Sequence, residues 1–216
     1  MKVEAKDPFE TNPCEYDAWF DENENVYRSE LLAIEALLPQ KNGLWVEIGV
    51  GSGRFASKLG IDVGIEPADG IANLARKRGV NVKKGRAEEL PLPDRSAAAA
   101  FLITSICFIA DMDRAFAEVN RILIPGGVAI VAFVPRDSRL GEIYAETGSQ
   151  DLFLRHARLR RREEIIDGLE ATGFRIERCV HTLTGDPARA NERVENPSAG
   201  CDGGSFVVVR AVKGEA

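Results

Sequence analysis

The chain has 216 residues, 44 % hydrophobic and 29 % charged, a balance suited to one globular domain with a sizeable core. Its 28 basic and 34 acidic side chains leave a formal charge of −6, so nothing draws the whole molecule to a phosphate backbone and no nucleic-acid partner is expected. No apolar run approaches the roughly 18 residues of a membrane-spanning helix, and the opening MKVEAKDPFE lacks the apolar centre of a secretory signal.

Four cysteines (Cys14, Cys107, Cys179 and Cys201) are scattered, with no C-x-x-C pair. They read as reduced thiols of a cytoplasmic protein, without a zinc site, another metal or a disulfide framework.

Residues 1–25 are polar and acidic with interspersed aromatics, an irregular or short helical arm. From Tyr27, the positions Tyr27, Leu31, Ile34 and Leu38 share one helical face, and Pro39 stops the helix. Leu44–Ile48 is a short buried strand running into glycines, Gly53–Leu59 has room for two helical turns, and Ile61–Ile65 is a second strand. Ala68–Arg78 is a helix with basic residues in its last turn and Gly79 as its cap, followed by a third strand, Val80–Lys84.

The run AAAAFLIT at 97–104 could be helical by propensity. Its position between Pro91–Asp94 and a further helix, and the β-formers at its end, favour a central strand. Asp111 caps a helix to Leu123, Pro125-Gly126-Gly127 turns the chain, and Val128–Val134 is the fifth strand. A short helix over 140–146, a helix over 162–172 and the strands Phe174–Thr182 and Ser205–Val212 complete the series. The polar loop 184–204 separates the last two strands.

Strands alternating with helices predict an α/β fold: a Rossmann-like, doubly wound, mostly parallel sheet of seven strands, the last antiparallel, with helices on both faces. Such sheets bind ligands beyond the carboxyl ends of their strands. The first such loop is Glu47-Ile48-Gly49-Val50-Gly51-Ser52-Gly53, whose glycines let backbone N–H groups approach a ligand. By itself it is equally a tight turn between strand and helix. The second strand ends Gly64-Ile65-Glu66-Pro67, and an acidic residue there can accept both hydroxyls of a ribose.

The segments LWVEIGVGSGRFA (44–56), VGIEP (63–67), GRAEELPLPD (85–94) and RILIPGG (121–127) together resemble the class I S-adenosylmethionine-dependent methyltransferases, of the methyltransferase type 11 kind. The resemblance implies S-adenosylmethionine as cofactor and a small-molecule methyl acceptor. It implies that Glu47 and the glycines Gly49, Gly51 and Gly53 surround the methionine part, with Glu47 towards its amino group. Glu66, with Pro67 beside it, would hold the ribose. Ala87 and Glu88 would lie beside adenine, and Thr104–Cys107 beneath the sulfonium. The sequence departs from the family at Arg86, where an acidic or polar residue is usual, and at Ala97-Ala98, where Phe-Asp is common.

The resemblance further divides the chain into an arm and helix, 1–40, covering the cofactor site, and a methyltransferase core, 41–216. Within the arm Tyr16, Trp19 and Tyr27 either face the sulfonium or simply pack on the sheet edge. The acceptor pocket is expected from the arm, residues 105–110, the segment 135–160 and the loop 184–204.

Methyl transfer mainly needs alignment, and a base only if the acceptor must lose a proton. His156, Tyr144 and Glu142 are the candidates for that role. The basic run Arg155–Arg162 reads as a solvated helix start with an Arg160–Glu164 pair, or as an attractor of anionic substrates.

Two other functions share part of these motifs. A nicotinamide-dependent oxidoreductase would carry G-x-G-x-x-G, whereas the spacing here is G-x-G-x-G. A non-catalytic S-adenosylmethionine-binding or regulatory protein would keep the cofactor site whole.

Overall fold

A computed structural model describes residues 7–214, so most of the charged start read above as no secretory signal lies outside the described residues. The arm forms three helices, α1 (Pro8–Thr11), α2 (Pro13–Glu22) and α3 (Glu24–Glu35). The alternating core follows as β1 (Trp45–Ile48), α4 (Arg54–Leu59), β2 (Val63–Glu66), α5 (Asp69–Lys77), β3 (Asn81–Lys84) and β4 (Ala97–Ile103). Then come α6 (Met112–Ile122), β5 (Leu123–Phe133), α7 (Arg139–Thr147), α8 (Arg162–Ala171), β6 (Phe174–Thr182), β7 (Ser198–Ala199) and β8 (Phe206–Lys213).

The strands make one sheet in the order β3-β2-β1-β4-β5-β8-β6-β7. The first five are parallel, and β8 is inserted antiparallel between β5 and β6. This is the expected doubly wound architecture, with one strand more than predicted: the two-residue β7 inside the loop 184–204.

The alanine-rich run 97–103 is a strand because both of its faces are covered. Ala100 and Leu102 pack with Phe116, Val119, Ile165 and Leu169 of α6 and α8. Ala99, Phe101 and Ile103 face Tyr27, Ile34 and Phe55 of α3 and α4 on the other side. A helix there would have left one apolar side to solvent, whereas a central strand buries all seven residues.

Two expectations are corrected. β5 runs through Pro125-Gly126-Gly127 rather than starting after it. The turn survives as a bulge, where the pairing jumps from Ala97↔Leu123 to Ala99↔Val128 and Gly126 has a φ of +71°. Cys179 on β6 and Cys201 in the following loop form a disulfide, so four reduced thiols is the wrong reading; Cys14 and Cys107 are free. The return of the chain alongside β6, where Gly200 N–H donates to the Cys179 carbonyl, brings the two thiols together across 22 residues of sequence.

Candidate functional site

The first five strands all point their carboxyl ends to one edge of the sheet, and the site is built there. After β1 the chain turns through Gly49 and Gly53, at φ +73° and +79°, values that favour glycine. A Cβ at Gly49 would stand 2.5 Å from the Cβ of Ser105, and one at Gly53 would stand 2.9 Å from the Cα of Ala75. Thus β4's exit and α5 press against the loop, and Ser105 Oγ donates to the Ile48 carbonyl at 2.8 Å to hold that contact. Thr104, one residue earlier, has a φ of +52°, a strained conformation for a β-branched residue.

Glu66 ends β2 with its carboxylate turned back on the same loop. Its Oε2 accepts from Gly51 N–H at 3.0 Å and its Oε1 from Ala68 N–H at 3.1 Å. Burial raises its pKa, opposed by those two N–H groups. Each oxygen keeps a further lone pair for a ligand.

A cleft of about 390 Å³ opens beside this carboxylate, lined by Gly49, Gly51, Glu66 and Pro67 from the first two turns. Ala87, Glu88, Thr104 and Tyr16 complete the predicted set, and His156 stands on the same wall. Glu88 is held by accepting from the N–H groups of Ala110 and Asp111, and Arg86 stays largely in solvent.

Four predicted site residues do not line this cleft. Gly53 caps α4 and packs on Ala75. Glu47 is 2 % exposed, and its Oε2 has no hydrogen-bond partner. Burial pushes its carboxyl well above the usual range, with a backbone group of Ala56 opposing and Glu66 reinforcing. Tyr27 is also spent elsewhere: its hydroxyl donates to the Arg54 carbonyl at 2.8 Å and its ring packs between Phe20 and Phe55. Trp19 faces a second cavity instead.

That second cavity, about 700 Å³, adjoins the cleft across Tyr16, Thr104 and Phe108, which line both. Its walls are aromatic (Trp19, Phe20, Phe133, Phe153), with Tyr144 and Glu30 among them. The arm, residues 106–108 and residues 133–160 line it, close to three of the four pieces expected for an acceptor pocket (the arm, 105–110 and 135–160). The loop 184–204 does not line it directly: Asn191 bonds to Asn25, Glu195 N–H donates to Ser29, and the loop borders a neighbouring hollow of about 520 Å³ that meets the cavity at Trp19 and Tyr144. Of the candidate bases, Tyr144 lines the second cavity, His156 is exposed at the cleft, and Glu142 is exposed and lines neither. Burial raises the Tyr144 hydroxyl far above its ordinary value, reinforced by Glu30.

One functional-looking residue, Glu30, escaped the sequence reading, and another, Arg160, was read there as solvated. Glu30 is three positions after Tyr27 and four before Ile34, so a carboxylate on the apolar face of α3 was the available signal. Arg160 is 8 % exposed with an unpartnered Nε, not part of a solvated run, and its contact with Glu164 is a loose 3.9 Å.

The arm is tied to the glycine loop by charge. Arg54 donates to Asp17 at 2.9 Å and to Asp21 at 2.7 Å, and Arg78 donates to Asp17 at 2.6 Å and to the Ser52 carbonyl. Burial alone would raise the Asp17 carboxyl, but hydrogen bonds from Arg54, Ser52 and Arg78 outweigh it and hold it at about 2. A carboxyl depressed on folding stabilises above its unfolded pKa and loses that contribution as pH falls towards the folded value. Asp17→Asn is therefore expected to cost about 1–2 kcal/mol at pH 7 after allowance for solvent screening. The gap from the parent protein should close as pH falls from 4 to 2. Urea unfolding at several pH values reads this, and a gap independent of pH would count against the ion cluster.

Comparison with known proteins follows the same outline. A family model described as a methyltransferase domain matches residues 46–131. The chain is 43 % identical to a solved S-adenosylmethionine-dependent methyltransferase from Thermotoga maritima, described as a possible histamine N-methyltransferase; the match covers 95 % of this chain and 97 % of that one, with a TM-score of 0.89. It is 34 % identical to an uncharacterized protein of Methanocaldococcus jannaschii over 92 % of this chain and 95 % of that relative. An uncharacterized protein of Mycobacterium tuberculosis is 32 % identical over 91 % of this chain and 70 % of its own length.

Proposed function

Since the chain belongs to the S-adenosylmethionine-dependent methyltransferases, we propose that the cleft at Glu66 holds S-adenosylmethionine and that the adjoining cavity holds a small organic methyl acceptor. The protein is an enzyme of that family and S-adenosylmethionine is its cofactor. The nicotinamide-dependent alternative falls with that result.

The residues present suit the cofactor. Glu66 offers two free lone pairs where a ribose diol would sit, beside the side-chain-free backbone of Gly49 and Gly51. Gly49 and Gly51 receive the methionine part, Ala87 and Glu88 flank adenine, and Thr104 and Tyr16 stand where cleft meets cavity. Glu47 lies buried near the end of β1, outside the cleft lining. When bound, the cofactor supplies a methyl group on a sulfonium, already a good leaving group. The protein's part is to bring an acceptor atom into line with it and to exclude water.

One observation carries this reading: the cleft and an aromatic-walled cavity share the Tyr16–Thr104–Phe108 wall. A cavity of about 700 Å³ is in the range of small-molecule sites. Calorimetric titration with S-adenosylhomocysteine, with NADH as control, is expected to show micromolar binding of the former alone. Binding of NADH, or of neither compound, would overturn the assignment of the cleft.

A further inference from the structure

Glu30 is 4 % exposed on the apolar face of α3, and among the described residues it has neither a hydrogen-bond nor an ion-pair partner. It lines the acceptor cavity. Its oxygens open onto this cavity rather than onto a protein partner, so whatever occupies the cavity completes the carboxyl.

The ionisable groups facing the same cavity are Glu15, Tyr16 and Glu22 from α2, Cys107 after β4, Tyr144 from α7, and Asp151 and Arg160 beyond it. None of them relieves Glu30. Burial alone pushes its carboxyl up to about 8, and the Arg160 guanidinium has no part in that shift. The cavity therefore combines carboxyl groups with the aromatic side chains of Trp19, Phe20 and Phe153, surroundings suited to a basic nitrogen carried on an apolar body.

Resting on the methyltransferase reading of the cleft, we propose that the acceptor is a small amine with an aromatic or apolar body, whose nitrogen seats against Glu30. In solution such an amine is an ammonium ion with no lone pair to attack with. Glu30 gives up its own proton to solvent and takes one from the ammonium, so that one proton in all is released and the nitrogen is left neutral. That nitrogen forms a bond to the methyl carbon as the carbon–sulfur bond breaks, with the electron pair passing to sulfur. The products are the methylated ammonium ion and the neutral thioether. The apolar surroundings favour the uncharged pair of amine and carboxylic acid over the ion pair, because desolvation penalises both charges.

The test is calorimetry on the full chain saturated with S-adenosylhomocysteine, using 2-phenylethylamine, tryptamine and benzylamine as probes and 2-phenylethanol as the neutral isostere of the first. The parent protein should bind at least one amine, and 2-phenylethanol at least tenfold more weakly than 2-phenylethylamine. Affinity for that amine should rise with pH and level off near 8, since one proton is released when the pair forms below that point. Glu30→Gln should bind S-adenosylhomocysteine as the parent does, bind the amine at least tenfold more weakly, and lose the break near pH 8. A merely structural Glu30 would not move that break. Equal binding of alcohol and amine, an unchanged Glu30→Gln, or no amine bound by a protein that binds S-adenosylhomocysteine would each overturn the proposal. Failure of S-adenosylhomocysteine itself to bind would instead strike the cofactor assignment beneath it.

Discussion

Glu66→Ala is expected to weaken S-adenosylhomocysteine binding about tenfold to a hundredfold, a loss of roughly 1–3 kcal/mol. Two effects add. The ribose hydroxyls lose a charged acceptor, and hydrogen bonds to charged groups are worth about 1.5–3 kcal/mol each when removed singly. The Gly51 and Ala68 N–H groups also lose the oxygens that hold them at 3.0 and 3.1 Å, so the glycine loop becomes less ordered before any ligand arrives. Glu66→Gln should lie between the two, because the amide keeps one acceptor oxygen but its nitrogen cannot accept. Titration calorimetry on the three proteins decides it. An affinity unchanged in Glu66→Ala would sink the ribose assignment, whatever the stability of the variant.

Gly49→Ala should be the most damaging single methyl addition around the site. The new Cβ falls 2.5 Å from the Cβ of Ser105, at a backbone φ of +73°. Left-handed backbone at a non-glycine residue costs about 1–3 kcal/mol, and overpacking adds about 1–3 kcal/mol. At about 2–4 °C per kcal/mol for a chain of this length, the melting temperature should fall by roughly 4–24 °C, with loss of S-adenosylhomocysteine binding. Gly60→Ala separates the two terms, since Gly60 has a φ of +68° but no atom within 4 Å of the added carbon. It should suffer the backbone cost alone. If Gly49→Ala melts no lower than Gly60→Ala, the close packing of the β4 exit on the loop is not what demands glycine there.

The proposed cofactor half of the site was legible because its signals are local. Gly49, Gly51, Glu66, Ala87 and Glu88 sit at the ends of strands or in the turns that follow, and each strand's own pattern locates its end. Parallel pairing then brings those ends together without further information: Ile48 pairs with Ile65, and Glu47 with Phe101. The proposed acceptor half was legible only in outline. The arm and the segment 133–160 do form it, yet Tyr27 turned to Arg54, Trp19 turned away from the cleft, and loop 184–204 packed on α3 instead of lining the cavity.

The amino-acid sequence alone determined the order of strands and helices, the central position of β4, the glycine loop and the carboxylate at the end of β2. Those features follow from periodicity, caps and turn residues, which act over a few positions of chain. Tertiary structure decided which aromatic ring reaches which cavity, that Cys179 meets Cys201, and that Glu30 and Arg160 are buried rather than solvated. These depend on contacts such as Asn25 with Asn191, separated by 166 residues, whose partners no local pattern can specify. A helix face tells which side is apolar; only the packed neighbours decide whether a charge on it meets water, a partner or an enclosed cavity.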